Sequence, residues 1–92
     1  MQTVTLDFSN CKYIYDIHMV IQNALEFPEY YGKNLDALWD FGQDYALSYD
    51  KVTLIIKGAN SVPEDLEESI IEILEVFGEI HNDCPNFTFT IA

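Results

Sequence analysis

Arginine is absent from the sequence, and lysine occurs only four times against sixteen aspartate and glutamate residues. The formal net charge is -12 over 92 residues. A chain with this balance repels phosphate backbones and anionic lipids, so nucleic acids and membranes are not expected partners. Composition alone leaves two interpretations of the charge open: a solvated, soluble surface, or a surface that binds a positively charged protein.

Cysteine is scarce as well, because Cys11 and Cys84 are the only two. Two thiols are too few for a disulfide framework, and we expect both to be reduced. No run approaches the ~20 apolar residues of a membrane span, and the first eight residues do not resemble a secretory signal. We therefore expect a cytoplasmic protein. The six tyrosines, six phenylalanines and one tryptophan suit one core, so residues 1–92 are predicted to form a single domain.

Hydrophobic periodicity predicts the first four elements. Thr3 to Phe8 alternates as a strand, and helical spacing follows from Asp16, a plausible N-cap, until Pro28 ends the helix. Asn34 can cap a second helix. The β-branched run from Val52 to Lys57 is typical of a central strand that is buried on both faces.

A third helix and a last strand complete the pattern. Ser61 and Glu64 have the spacing of a capping box before a helix whose apolar side includes Leu66, Ile73 and Ile80. Residues 87–91 then alternate as a strand. Strands joined by helical crossovers predict an α/β fold in β-α-α-β-α-β order, with a three-stranded parallel sheet packed with three to four helices. Whether a short helix lies between residues 58 and 65 stays open.

The second helix carries an unusual outer face. Asp36 and Asp40 lie one turn apart with Trp39 beside them, and Tyr30 and Tyr31 lie in the preceding loop. Unpaired carboxylates next to aromatic side chains indicate a binding surface. The alternative is that Trp39 packs into a second small core while the aspartates are solvated, and spacing alone does not decide between the two.

The same carboxylates do not indicate an enzyme. They lie on an exposed helix face, with no arginine to hold a substrate and no glycine-rich phosphate loop, so no catalytic residue is predicted and a small hydrolase is the least favoured function. His18 and His81 fall near helix ends and are expected to be solvated or capping. Carboxylates on a helix, without a ligand-wrapping loop, also predict neither a metal nor a cofactor.

The segment from Pro28 to Asp40, P-E-Y-Y-G-K-N-L-D-A-L-W-D, resembles the signature segment of the barstar family, intracellular inhibitors of secreted microbial ribonucleases of the barnase type. The likeness extends over the whole chain in length and element order. It implies a barstar-like inhibitor, monomeric when free, that occludes the active site of a basic ribonuclease with acidic side chains in place of RNA phosphates. The alternative is a binding module of this fold for another basic protein, without ribonuclease inhibition.

The resemblance also implies which residues contact the partner. Asp36 and Asp40 are the expected acidic contacts, with Asp40 in a phosphate pocket, and a one-residue gap before Cys84 leaves Asp83 an open candidate. Lys33 and Tyr45 depart from the family, which has acidic residues and a tryptophan at these two positions. The full set of predicted contacts is Tyr30, Gly32, Asn34, Leu35, Asp36, Trp39, Asp40 and Glu79.

Overall fold

The fold is built on one parallel sheet of three strands, seen in a computed structural model that describes residues 1–92. The strands are β1 (Gln2–Asp7), β2 (Val52–Lys57) and β3 (Phe87–Ile91), and β2 lies between the other two. The predicted parallel sheet and its central strand are confirmed. A parallel arrangement requires crossover connections, which the helices supply.

The central strand β2 is fully buried on one face of the sheet but not on the other. Val52, Leu54 and Ile56 of β2 are completely inaccessible, whereas Thr53 and Ile55, which point to the other face, are only partly buried. The second face consists mostly of threonine, a residue that suits a strand yet tolerates water. The prediction that β2 is buried on both faces is therefore wrong.

Three α-helices supply the rest of the core. They are α1 (Ile14–Leu25), α2 (Leu35–Ser48) and α3 (Glu67–Asp83), and they confirm the predicted β-α-α-β-α-β order. A single turn of 3-10 helix, Glu64–Leu66, precedes α3 and answers the question left open for residues 58–65. The buried apolar side chains of helices and strands form one cluster of 22 residues.

The packing of α2 against α3 fixes the surface that they share. Gly42 of α2 lies so close to α3 that a Cβ atom at this position would overlap the Cδ1 atom of Ile80, which is fully buried. One turn further along α2, the Ala46 carbonyl accepts a 2.8 Å hydrogen bond from the side-chain amide of Asn86, which lies beyond the end of α3. The contacts thus advance in the same direction along both segments, so α2 and α3 run parallel with their outer faces side by side.

Two predicted helix starts are wrong in detail. Asp16 is the third residue of α1 rather than its N-cap, and its carboxylate accepts hydrogen bonds from the backbone N–H groups of Lys12 and Tyr13 at 3.0 and 3.1 Å. Asp16 therefore lies inside the first turn and still accepts hydrogen bonds from two backbone N–H groups that would otherwise have no partner. Ser61 does not form a capping box with Glu64, because Pro63 is the cap residue there and the Ser61 N–H donates to the Gly58 carbonyl.

Both cysteines, Cys11 and Cys84, are buried free thiols, as expected. No helix of the chain combines the length and apolar character needed to cross a membrane.

Candidate functional site

The site is reached through the α1–α2 loop, residues 26–34, which folds back along α1. The side-chain amide of Gln22 donates a 2.9 Å hydrogen bond to the Pro28 carbonyl, and Nδ1 of His18 lies 2.7 Å from the hydroxyl of Tyr31. Positions 22 and 18 are one turn apart on α1, so the loop runs antiparallel to the helix and carries the chain back to its N-terminal end. These contacts determine where α2 begins.

His18 and Tyr31 are both 2% exposed, so two expectations are wrong. His18 is neither solvated nor a cap, and Tyr31 is not part of an exposed binding surface. Burial lowers the pKa of His18, and the charge of Lys33 lowers it further. Burial also raises the pKa of the Tyr31 hydroxyl, so the pair is a neutral hydrogen bond inside the protein.

The end of the loop brings the chain into α2 through an N-cap. Oδ1 of Asn34 accepts a 2.8 Å hydrogen bond from the Ala37 N–H, which confirms the predicted cap. The side-chain amide of Asn34 also donates to the Gly32 carbonyl at 3.3 Å. The residue before the cap, Lys33, has a left-handed backbone conformation with φ 51°. Gly32 allows close packing, because a Cβ there would lie 3.2 Å from the Asn34 amide nitrogen.

The outer faces of α2 and α3 form an open groove of about 600 Å³, called the acidic groove below. From α2 come two carboxylates, the indole and an apolar residue, and α3 adds one carboxylate and a valine. Five of the eight predicted contact residues therefore lie together, although they come from segments that are 40 residues apart. The lining consists of Leu35, Asp36, Trp39, Asp40, Val76 and Glu79.

Trp39 is the central apolar surface of this groove. It is 37% exposed, lies outside the main core cluster and lines the groove beside the apolar side chains of Leu35 and Val76. The remaining contact candidates lie on the α1–α2 loop, where Tyr30 is 81% exposed with its ring 5.9 Å from that of Phe41. Tyr30, Gly32 and Asn34 do not line the acidic groove.

All charged side chains that line the acidic groove are negative. Asp36, Asp40 and Glu79 contribute three carboxylates, and no lysine lines the groove. Asp36 lies in the first turn of α2, where the helix dipole favours a negative charge and offsets part of the repulsion between the two aspartates. Such a surface can accept hydrogen bonds from several cationic donors at once.

Sequence reasoning missed two features around the groove. Val76 was not among the predicted contacts, although it lies one turn before Glu79 and that spacing places both on one side of α3. The second is Gln43 of α2, which is half-buried and links the helices: its amide donates to Asp83 at 2.9 Å and its carbonyl accepts from the Cys84 thiol at 3.3 Å.

His81 is exposed, and its Nδ1 lies 2.7 Å from the Phe87 carbonyl just beyond the end of α3. No group of three or more His, Cys, Asp or Glu side chains is arranged to hold a metal ion.

Two comparisons relate this chain to known proteins. The family model described as Barstar (barnase inhibitor) matches residues 1–91. A putative ribonuclease inhibitor, YrdF from Bacillus subtilis (strain 168), is 42% identical over 40 residues, which are 44% of this chain and 44% of that protein. The alignment with that relative therefore spans less than half of either sequence. Because the family model covers nearly the whole chain and the strands and helices follow in the expected order, this protein belongs to the barstar family.

Proposed function

We propose that this protein inhibits a basic, secreted microbial ribonuclease of the barnase type by filling its active-site cleft with the acidic groove. The observation that carries the proposal is the convergence of Asp36, Asp40 and Glu79 beside the half-exposed indole of Trp39. The family description and the name of the related protein support a ribonuclease as the partner. On this proposal the carboxylates take the places of RNA phosphates, and the protein catalyses no reaction itself.

The physical basis is the chemistry of a ribonuclease cleft, which must offer cationic donors to bind a polyanion. Carboxylates accept the same charge-assisted hydrogen bonds as phosphate oxygens, and these bonds strengthen once the interface excludes water. The indole of Trp39 and the ring of Tyr30 supply the apolar area that displaces this water. Rules for charged interfaces and hot spots are drawn partly from the barnase–barstar complex, so they describe this family rather than test the proposal independently.

Preorganisation is the second contribution of the fold. The α1–α2 loop is pinned to α1 by the His18–Tyr31 and Gln22–Pro28 hydrogen bonds, and the Asn34 cap fixes the first turn of α2. A contact surface that is already ordered loses less conformational entropy on binding than a mobile one. The loop and the start of α2 therefore suit a partner with a rigid cleft.

We also propose that inhibition takes place in the cytoplasm of the cell that produces the nuclease, before export. The two buried thiols, which form no disulfide, are compatible with a reducing compartment. Fractionation of cells that express a tagged full-length chain checks this directly, and recovery of the protein in the culture medium would contradict it.

The test of function is a titration of the purified protein against barnase and a panel of other purified ribonucleases of the barnase type. We expect stoichiometric inhibition of at least one nuclease, and Asp40→Ala should weaken it by ~100-fold or more, since that carboxylate enters a phosphate site. Asp50→Ala is the matched control, because Asp50 is an exposed aspartate beyond the end of α2, outside the groove. Circular dichroism verifies that both variants are folded.

The possible results separate the candidate functions. Inhibition that is lost in Asp40→Ala and retained in Asp50→Ala supports the proposal. Equal inhibition by both variants means that another surface makes the contact. A protein that inhibits no nuclease of the panel is instead a binding module for some other basic partner, and the proposal then fails.

A further inference from the structure

Lys33 is the only lysine or arginine from Tyr13 to Ser48, the stretch that holds α1, α2 and the loop between them. It directly precedes the Asn34 cap and lies three residues before Asp36. A positive charge therefore lies close in sequence to a groove whose own charged side chains are all negative. The chain has sixteen acidic residues and only four lysines, so a positive charge this close to the acidic groove is unusual.

The geometry holds this charge in place. The backbone of Lys33 is left-handed, with φ 51°, a conformation uncommon for residues other than glycine, asparagine and aspartate. Its ammonium group lies 5.7 Å from the centroid of the Tyr15 ring on α1. A cation–π contact attracts the ammonium group to the ring face without using its N–H donors, which stay available for a further acceptor.

The Tyr15–Lys33 pair is also accessible to another protein. The Tyr15 side chain is 58% exposed, and Lys33 is half-buried. The pair adds a third contact between the α1–α2 loop and α1, after Gln22–Pro28 and His18–Tyr31, so its position is fixed by the same antiparallel arrangement. Tyr15 and Lys33 therefore extend the exposed surface at the start of α2 onto α1.

A cation at this position has opposite consequences for two kinds of partner. A nuclease whose cleft is basic throughout would bring its own lysines and arginines against Lys33, and like charges at an interface disfavour binding. A nuclease with a carboxylate on the rim of an otherwise basic cleft would gain a charge-assisted hydrogen bond at the same place.

We propose that the Tyr15–Lys33 pair is a specificity determinant that selects, among basic ribonucleases, those with an acidic side chain on the rim of the active-site cleft. This inference rests on the proposed function and specifies the partner for the same binding site. Lys33 acts through its own charge, while Tyr15 positions that charge by contact with the ammonium group.

The experiment measures dissociation constants for the wild type, Lys33→Gln and Lys33→Glu against barnase and the same panel of purified ribonucleases. Gln and Glu have side chains of nearly the same size and meet the same cost of a left-handed backbone at this position. The difference between these two variants therefore isolates the effect of charge. Lys51→Glu is the control for net charge, since Lys51 is exposed and lies just before β2. Each series is run at low and at high salt.

For the nuclease that the wild type binds most tightly, we expect Lys33→Glu to weaken binding by about tenfold, and by more than Lys33→Gln or Lys51→Glu. The difference should shrink at high salt. Tyr15→Leu should reduce the effect of the Lys33→Glu change, because the ammonium group is then no longer held. For nucleases that the wild type binds weakly, Lys33→Glu should tighten binding.

The inference is overturned if Lys33→Glu matches Lys51→Glu on the tightest partner, or if it tightens binding there. This failure is distinct from a failure of the proposed function, because Asp40→Ala still disrupts inhibition in the first case. Where the wild type binds no nuclease of the panel, both proposals fail together.

Discussion

Nδ1 of His18 lies 2.7 Å from the hydroxyl of Tyr31, and this buried hydrogen bond joins α1 to the loop that leads into the acidic groove. Both side chains are almost inaccessible to water, so neither has a solvent partner to replace the other. Breaking the pair leaves a buried polar group without a hydrogen bond, which costs about 1–3 kcal/mol. The stability of the protein and the position of the α1–α2 loop therefore depend on the same contact.

The first prediction concerns pH. Burial and the nearby Lys33 charge lower the pKa of His18 in the folded protein, so below about pH 6.5 the unfolded chain takes up a proton that the folded chain excludes. The free energy of unfolding should therefore fall as the pH drops from about 6.5 towards 5.5, by up to about 1.4 kcal/mol per pH unit, and be independent of His18 above that range. Urea unfolding followed by circular dichroism measures this.

His18→Gln supplies the control for the pH experiment, since glutamine can still hydrogen-bond to Tyr31 but does not titrate. We expect this variant to be less stable at neutral pH and to lose the additional slope between pH 6.5 and 5.5. His81→Gln, which changes an exposed histidine, should keep the slope. Identical slopes for the wild type and His18→Gln would contradict the assignment.

The sheet and the three helices could be predicted from local sequence patterns, because the spacing of apolar residues depends on each strand or helix alone. The positions of Thr3 to Phe8 and Val52 to Lys57 needed no knowledge of the rest of the chain, and the last strand was predicted with its observed bounds of Phe87–Ile91. The predicted N-cap of α1 was wrong by less than one turn, because Asp16 accepts hydrogen bonds from the free backbone N–H groups from the third position of the helix.

The site was predictable only in part, for a different physical reason. Asp36, Trp39 and Asp40 share a helix face, so spacing alone places them together. The position of Glu79 beside them depends on the packing of α3 against α2, and only the family resemblance supplied it. The burial of His18 depends on the path of the α1–α2 loop, which no local period encodes.

The second prediction tests the helix contact that forms the groove. Gly42→Ala places a methyl group against the fully buried Ile80 side chain, and overpacking of about 1–3 kcal/mol outweighs the gain in helix propensity of about 1 kcal/mol. We expect net destabilisation of about 1 kcal/mol in urea unfolding. Gly78→Ala is the matched control: a Cβ there meets nothing within 4 Å, so the variant should be about 0.5–1 kcal/mol more stable. Two stabilised variants would show that α2 and α3 are not in close contact at Gly42.

The third prediction uses Trp39, the only tryptophan of the chain. Fluorotryptophan incorporated into the inhibitor gives one fluorine NMR signal, free of any tryptophan of the nuclease. Because Trp39 is 37% exposed in the free protein and lies in the proposed contact, its signal should shift and lose its sensitivity to the solvent when an inhibited nuclease is added. An unchanged signal in a complex verified by gel filtration would place the contact elsewhere.

The fourth prediction separates long-range attraction from contact within the groove. A chain with net charge -12 attracts a basic nuclease over distances comparable with the Debye length of about 10 Å at 0.1 M salt, so the association rate constant should fall steeply as salt rises. Asp40→Asn should act mainly on the dissociation rate, because its carboxylate is desolvated in the complex. Asp50→Asn removes an equal charge from an exposed aspartate beyond the end of α2, outside the groove, and should slightly slow association while leaving dissociation unchanged. Stopped-flow measurements resolve both rates. Similar effects of the two variants on dissociation would mean that net charge alone, and not the geometry of the acidic groove, holds the complex together.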